Sequence, residues 1–248
     1  MPISNRRLIE AAAEFKRLAS AEFDKAVKKL IDLVWSKGKP TADFLFESDP
    51  ELDSEANEVL QGLSDALAAK AKRIAEAIIR DQLNGYGEEA WDETNNPEGD
   101  VSIIYRFDMQ GSHLKELLEI WIALAVVNGI RKSELNVLVS RYVRNPFASP
   151  LWRNIPTKSL KWGRGYSKDI LDQIAIIGQN GIIGAVRHAE WQEQKDNGAE
   201  YYIRRRGSNY DCDVCQEMAN KPIPINTPFE IPHSRCCCYP EYFFDKIP

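Results

Sequence analysis

Residues 211–242 read DCDVCQEMANKPIPINTPFEIPHSRCCCYPEY and hold all five cysteines of a 248-residue chain. Cys212 and Cys215 form a C-x-x-C. After a spacer running from 216 to 232, His233 and Cys236 repeat the interval as H-x-x-C, and Cys237 and Cys238 follow. A structural zinc takes four nitrogen or sulfur ligands in a tetrahedron. A two-residue spacer lets the backbone fold back so that both side chains reach one ion. On an extended strand Cys236 and Cys238 point one way and Cys237 the other. The candidate metal ligands are Cys212, Cys215, His233, Cys236 and Cys238, with Cys237 a bystander. Spacing leaves open whether His233 or Cys238 completes a set of four. Buried thiols and disulfides are the competing readings, and five is an odd number, so the cysteines cannot all pair within one chain.

The segment also needs such a staple. Pro222, Pro224, Pro228, Pro232, Pro240 and Pro248 crowd the region from 207 to 248, which could hardly build a core unaided. A zinc closing this loop contributes on the order of 10 kcal/mol of binding free energy to folding.

The rest of the chain is ordinary for a globular protein: 44% hydrophobic, 28% charged, and a formal charge of −5. That balance argues against a protein coated in positive charge for nucleic acid, while leaving room for a local basic patch. No secretory signal is visible, which points to the cytoplasm, where disulfides are rare. The longest apolar run, Ile120 to Val127, is too short for a bilayer, which takes about 20 residues. It reads as a buried helix, and no membrane partner is expected.

Apolar residues recur at three and four over 4–37 (Leu8, Phe15, Phe23, Leu30, Val34) and again over 52–83 (Leu60, Leu63, Leu67, Ile74, Ile78), predicting two long helices. The polar, breaker-rich stretch 85–100 reads as a loop and VSIIYRF, 101–107, as a short strand. A third helix starts at Ser112 or His113 and runs to about Asn128, and a fourth spans 131–144. A linker follows, with Trp152 and Trp162 as packing anchors. Ser167 caps a further helix, whose Gly178, Gly181 and Gly184 predict a break, because each interior glycine costs about 1 kcal/mol. Asn197-Gly198 ends that helix, and AEYYIRR, 199–205, reads as a strand. The expected fold is mainly α with a small α+β C-terminal module: a helical body over 1–165, then helix, strands and a zinc-stapled loop over 166–248.

The stretch from Tyr201 to Phe243, with D-x-C-x-x-C at Cys212 and Cys215 and P-x-H-x-x-C-x-C at Pro232, His233, Cys236 and Cys238, resembles the C-terminal module of the phage Mu F-like minor head proteins, also called head morphogenesis proteins. Arg187 to Glu190 lie near the family's arginine-threonine-glutamate signature without reproducing it. Cys237 occupies the slot where the family more often has arginine. The resemblance covers about residues 165 to 248. It implies a low-copy structural protein of the virion, placed in the head interior and in the bacterial host cytoplasm during assembly. Portal protein and capsid subunits would be its partners, with phage DNA and self-association further options. It implies structural zinc and no enzymatic activity.

Two other function classes compete. His188-Ala189-Glu190 followed by Cys212-x-x-Cys215 has the residue types of a zinc nucleobase deaminase, in which a histidine and two cysteines hold the ion and the glutamate shuttles protons. Asp211 stands where that signature has proline, and the helical chain before His188 lacks the strands of that fold. The simpler reading of His188 and Glu190 is a solvated helix face. The other class is a nucleic-acid-binding zinc module. On a strand, Arg204 and Arg206 share one face and could touch phosphate; the simpler reading is an exposed face. His113 reads as a cap or surface residue.

Overall fold

The computed structural model describes residues 3–38, 40, 45–83, 88–96, 102–142, 170–207, 213–231 and 238–245. Its helices are α1 (Asn5–Ser36), α2 (Leu45–Ser48), α3 (Pro50–Leu83), α4 (Glu88–Asn95), α5 (Ile103–Val127), α6 (Lys132–Tyr142), α7 (Ile170–Asp196) and α8 (Asp213–Met218). Its strands are β1 (Tyr201–Arg205), β2 (Pro222–Pro224) and β3 (Tyr239–Phe243). The chain is thus mainly helical, with a small α+β module at its C-terminal end. None of the described helices is long and apolar enough to cross a membrane.

The chain divides into two compact units. One comprises Met1–Phe15, Ala68–Tyr105 and Ile176–Pro248; the other comprises Lys16–Leu67 and Arg106–Ala175. The boundary expected at 165/166, the linker with Trp152 and Trp162, and the capping Ser167 all lie outside the described residues.

Local chemistry accounts for the helices. In α1, Leu8, Ala11, Phe15, Ala19, Phe23, Ala26, Leu30 and Val34 are all buried, one stripe at helical spacing. Asp49 caps α3: its Oδ1 accepts from the amides of Glu51 (3.1 Å) and Leu52 (3.0 Å), with Pro50 at the first helical position, where its missing N–H costs nothing.

Three expectations are overturned. The stretch expected to be a loop contains α4, whose Ala90, Trp91 and Asn95 are buried. The strand expected over 101–107 is the start of α5, because Ser102 caps it through a 3.1 Å bond from the Tyr105 amide. Ile103, Phe107, Leu114, Leu118 and Trp121 then continue one buried stripe at helical spacing. The apolar, β-branched run had period 3.6 and not 2. His113 consequently sits inside α5, half-buried, and not at its start.

The third correction concerns α7, which is continuous from Ile170 to Asp196 through all three glycines. Those glycines permit close approach. A Cβ on Gly178 would lie 2.0 Å from the Phe15 ring, and one on Gly181 would lie 2.5 Å from Ile103 and 2.7 Å from Asn95 Oδ1. Asn95 Nδ2 donates to the Gly181 carbonyl at 3.2 Å. Packing at these positions outweighs the low helix propensity of glycine. Gly198, at φ 88°, ends the helix in the left-handed region.

Two glycine substitutions should therefore act in opposite directions. Gly178→Ala forces the Phe15 ring to move and is expected to destabilise the protein by about 1–3 kcal/mol. Gly62→Ala in α3, where a new Cβ meets nothing within 4 Å, is expected to stabilise it by about 0.5–1 kcal/mol. Urea denaturation of the two variants checks both signs.

Candidate metal centre

The module is organised on β1, the central strand of a sheet ordered β2-β1-β3, with both pairings antiparallel. Tyr202 faces Ile223 on one side and Tyr242 on the other. Trp191, Ala199, Tyr202, Ile225 and Phe229 form its apolar cluster. The Trp191 indole N–H donates to the Ile225 carbonyl at 2.8 Å, fastening the turn after β2 to α7. The strand expected from AEYYIRR is β1.

Of the five predicted ligands, Cys215 and Cys238 are described; Cys212, His233 and Cys236, like the bystander Cys237, lie outside the described residues. Cys215 is the buried residue of the short helix α8. Cys238 immediately precedes β3 and is also buried. Their sulfurs stand 3.4 Å apart, with Ile231 packed against both. That separation is far beyond the disulfide bond length of about 2.05 Å. It is close to the ~3.8 Å edge of a tetrahedron with Zn–S bonds of about 2.3 Å. Two soft donors from segments far apart in sequence thus converge in a dry site, which fits a thiophilic ion. Among the described residues no third His, Cys, Asp or Glu joins them in a metal-holding group.

The basic run is not the exposed face expected from the sequence. Arg204 is 1% exposed. Its guanidinium lies over the Phe229 ring, 4.2 Å from the centroid, and Nη2 donates to the Glu230 carbonyl at 2.8 Å. Arg205 pairs with Glu241 (2.6 Å) and reaches Asn220 Oδ1 (2.7 Å). Arg204 and Arg206 therefore present no joint surface to phosphate. The strand alternation was legible; the apolar groove that accepts Arg204 was not.

The solvated-face expectation for His188 and Glu190 is corrected at Glu190, which is buried together with Arg187. Both are 1% exposed, and they pair at 2.6 Å. Arg187 Nη2 donates to Asn5 Oδ1 (2.7 Å), and Glu190 Oε1 accepts from the Ile3 amide (3.0 Å). Both Glu190 oxygens are thus occupied. His188 turns away: its Nε2 meets Glu93 Oε2 at 2.7 Å. A proton shuttle needs a carboxylate open to substrate, and Glu190 is instead a clamp on the chain's first residues. Sequence reading missed Ile3 and Asn5 as its partners, although the i,i+3 spacing of Arg187 and Glu190 was visible.

No family model, curated protein or solved structure matches this chain.

Burial pushes the Glu190 carboxyl above its usual range, against the opposing pull of Arg187 and the Ile3 amide. Its folded value lies above its unfolded one, so the stability it contributes is complete below about pH 4.5 and is lost as pH rises through the raised value. Relative to Glu190→Gln, the wild type should accordingly lose stability as pH rises above about 4.5 in urea denaturation. Arg187→Met, which strands a buried carboxylate, is expected to cost about 3–5 kcal/mol.

Proposed function

We propose that this protein is a phage or prophage minor head protein, structural and not catalytic, whose C-terminal module is held by a structural zinc. The observation that carries the reading is the 3.4 Å approach of Cys215 and Cys238 in a buried site. The order helix, strand, C-x-x-C, H-x-x-C-x-C and strand, which resembles the Mu F-like module, supports it. Four of Cys212, Cys215, His233, Cys236 and Cys238 close the ion's coordination. A closed tetrahedron leaves no position for an activated water, which is what separates a structural zinc from a catalytic one. In this reading the helical part carries the surfaces for portal and capsid subunits, and the protein resides in the head interior after assembly in the host cytoplasm.

The occupied carboxylate of Glu190 supports no deaminase role, and the buried Arg204 supports no phosphate-tracking strand.

Elemental analysis of the purified chain is expected to give about one zinc per protein. Cys215→Ser and Cys238→Ser should lose most of it and Cys237→Ser should retain it. A wild type without a thiophilic metal rejects the zinc. The assignment to the head is tested separately. Particles induced from a lysogen carrying the gene, purified on a density gradient and digested for mass spectrometry, should contain the protein at low copy beside the portal. Its absence from DNA-filled heads rejects the assignment.

A further inference from the structure

Arg204 is a buried cation without a buried anion. It is 1% exposed, and its Nε and Nη1 have no hydrogen-bond partner. Its anchors are neutral: the Phe229 ring face and the Glu230 carbonyl. Among the described residues no carboxylate lies within ion-pair reach of it, in contrast to Arg187, which has Glu190. Buried charges are as a rule paired, because taking an ion out of water costs several kcal/mol. A guanidinium cannot escape that cost by losing its proton. The compensating charge must come from elsewhere in the module.

The elements around Arg204 are those that carry the two sulfurs. Its backbone is opposite Pro240 in the β1–β3 register, and Cys238 leads directly into β3. Its carbonyl accepts from the Asn220 amide at 3.1 Å, in the turn that follows α8 and Cys215. Its Nη2 holds the Glu230 carbonyl, and the next residue, Ile231, packs on Cys215 and Cys238. Neutral thiols would leave the guanidinium uncompensated. Zn2+ held by three or four thiolates is net anionic and would compensate it across a low-dielectric gap, where charges interact more strongly than in water.

We infer that Arg204 is the built-in counter-charge of the Cys215–Cys238 metal centre, a positioning residue that offsets the charge of the zinc-bound sulfurs and so sets zinc affinity. The inference rests on the zinc reading above. In the module the cation replaces the solvent that a surface zinc site would use to stabilise its thiolates.

The test uses the full-length protein and variants at Arg204, with zinc affinity measured by competition with a chromophoric chelator. Arg204→Met should weaken zinc binding about 10- to 100-fold, the range for outer-shell partners of a metal site. Arg204→Lys keeps the charge but loses the planar stack on Phe229. It should stay near the wild-type affinity even where its urea stability falls. Should Arg204→Met fail to fold, Arg204→Gln, which keeps a donor for the Glu230 carbonyl, carries the same expectation. Wild-type affinity in the neutral variants overturns the inference and leaves the zinc reading standing. So does a Lys variant that loses as much as Met, since that outcome assigns the effect to packing. A wild type that binds no zinc overturns both.

Discussion

Within the first unit, nearly everything depends on how closely other segments can approach α7. Its glycines remove the side chains that would hold neighbours away. The Phe15 ring occupies the space a Gly178 Cβ would need, and Asn95 and Ile103 occupy that of Gly181. Ile231 lies 3.8 Å from where a Gly184 Cβ would stand, in ordinary contact. One turn further on, the helix changes chemistry. Arg187 and Glu190 take the chain's first residues by hydrogen bonds, and Trp191 takes the turn after β2. One helix therefore gathers the N-terminal segment, α4 and the C-terminal module, first by steric fit and then by buried polar bonds. Glycine has the lowest helix propensity after proline, so Gly178 and Gly181 are tolerated in an uninterrupted helix because tertiary packing is gained in return.

The C-terminal module has the opposite problem. It has a three-stranded sheet, an apolar cluster built on five buried residues, and prolines at both ends of β2. Proline cannot donate to a ladder, so β2 holds to β1 through few bonds. Two anchors compensate on the α7 side: the Trp191 indole and the contact of Ile231. Cys215 and Cys238 come from segments that share no strand pairing with each other. In the proposed reading a metal there supplies what the core lacks, a strong link between α8 and the approach to β3. Small domains that cannot bury enough apolar surface depend on such links.

Legibility followed the range of the interactions. The long helices α1 and α3 were readable because their stripes are local and repeat many times. The strand at 201–205 and the end of α7 at Asn197-Gly198 were readable for the same reason. What could not be read depended on a distant partner. Gly178 signals a break unless Phe15, far away in sequence, fills the gap. The polar stretch around α4 is a loop unless Trp91 and Asn95 find buried places. The misreading of 101–107 was different in kind. Ser102 offered a cap and Phe107 a stripe, but a short apolar run fits either period. At the candidate metal centre the residue types and spacing pointed to five candidate ligands, of which the structure describes Cys215 and Cys238 and brings their sulfurs to 3.4 Å. Arg204 was misjudged because strand alternation says which residues share a face, not which face is covered.

The two buried arginines show how one residue type serves two ends. Arg187 and Glu190 form a pair that also holds Asn5 and Ile3, so it docks residues 3–5 against α7. A buried pair of this kind is weak evidence for net stability, since apolar residues of similar volume often do as well. Its directional bonds select one docking of residues 3–5 among many that apolar contact alone would permit. Arg204 has the burial of Arg187 without its carboxylate, and its stacking on Phe229 recovers only part of the desolvation cost. Buried charges are as a rule offset by another charge. In the reading proposed above, that asymmetry ties the electrostatics of β1 to the sulfurs at Cys215 and Cys238 and not to the ion pair on α7.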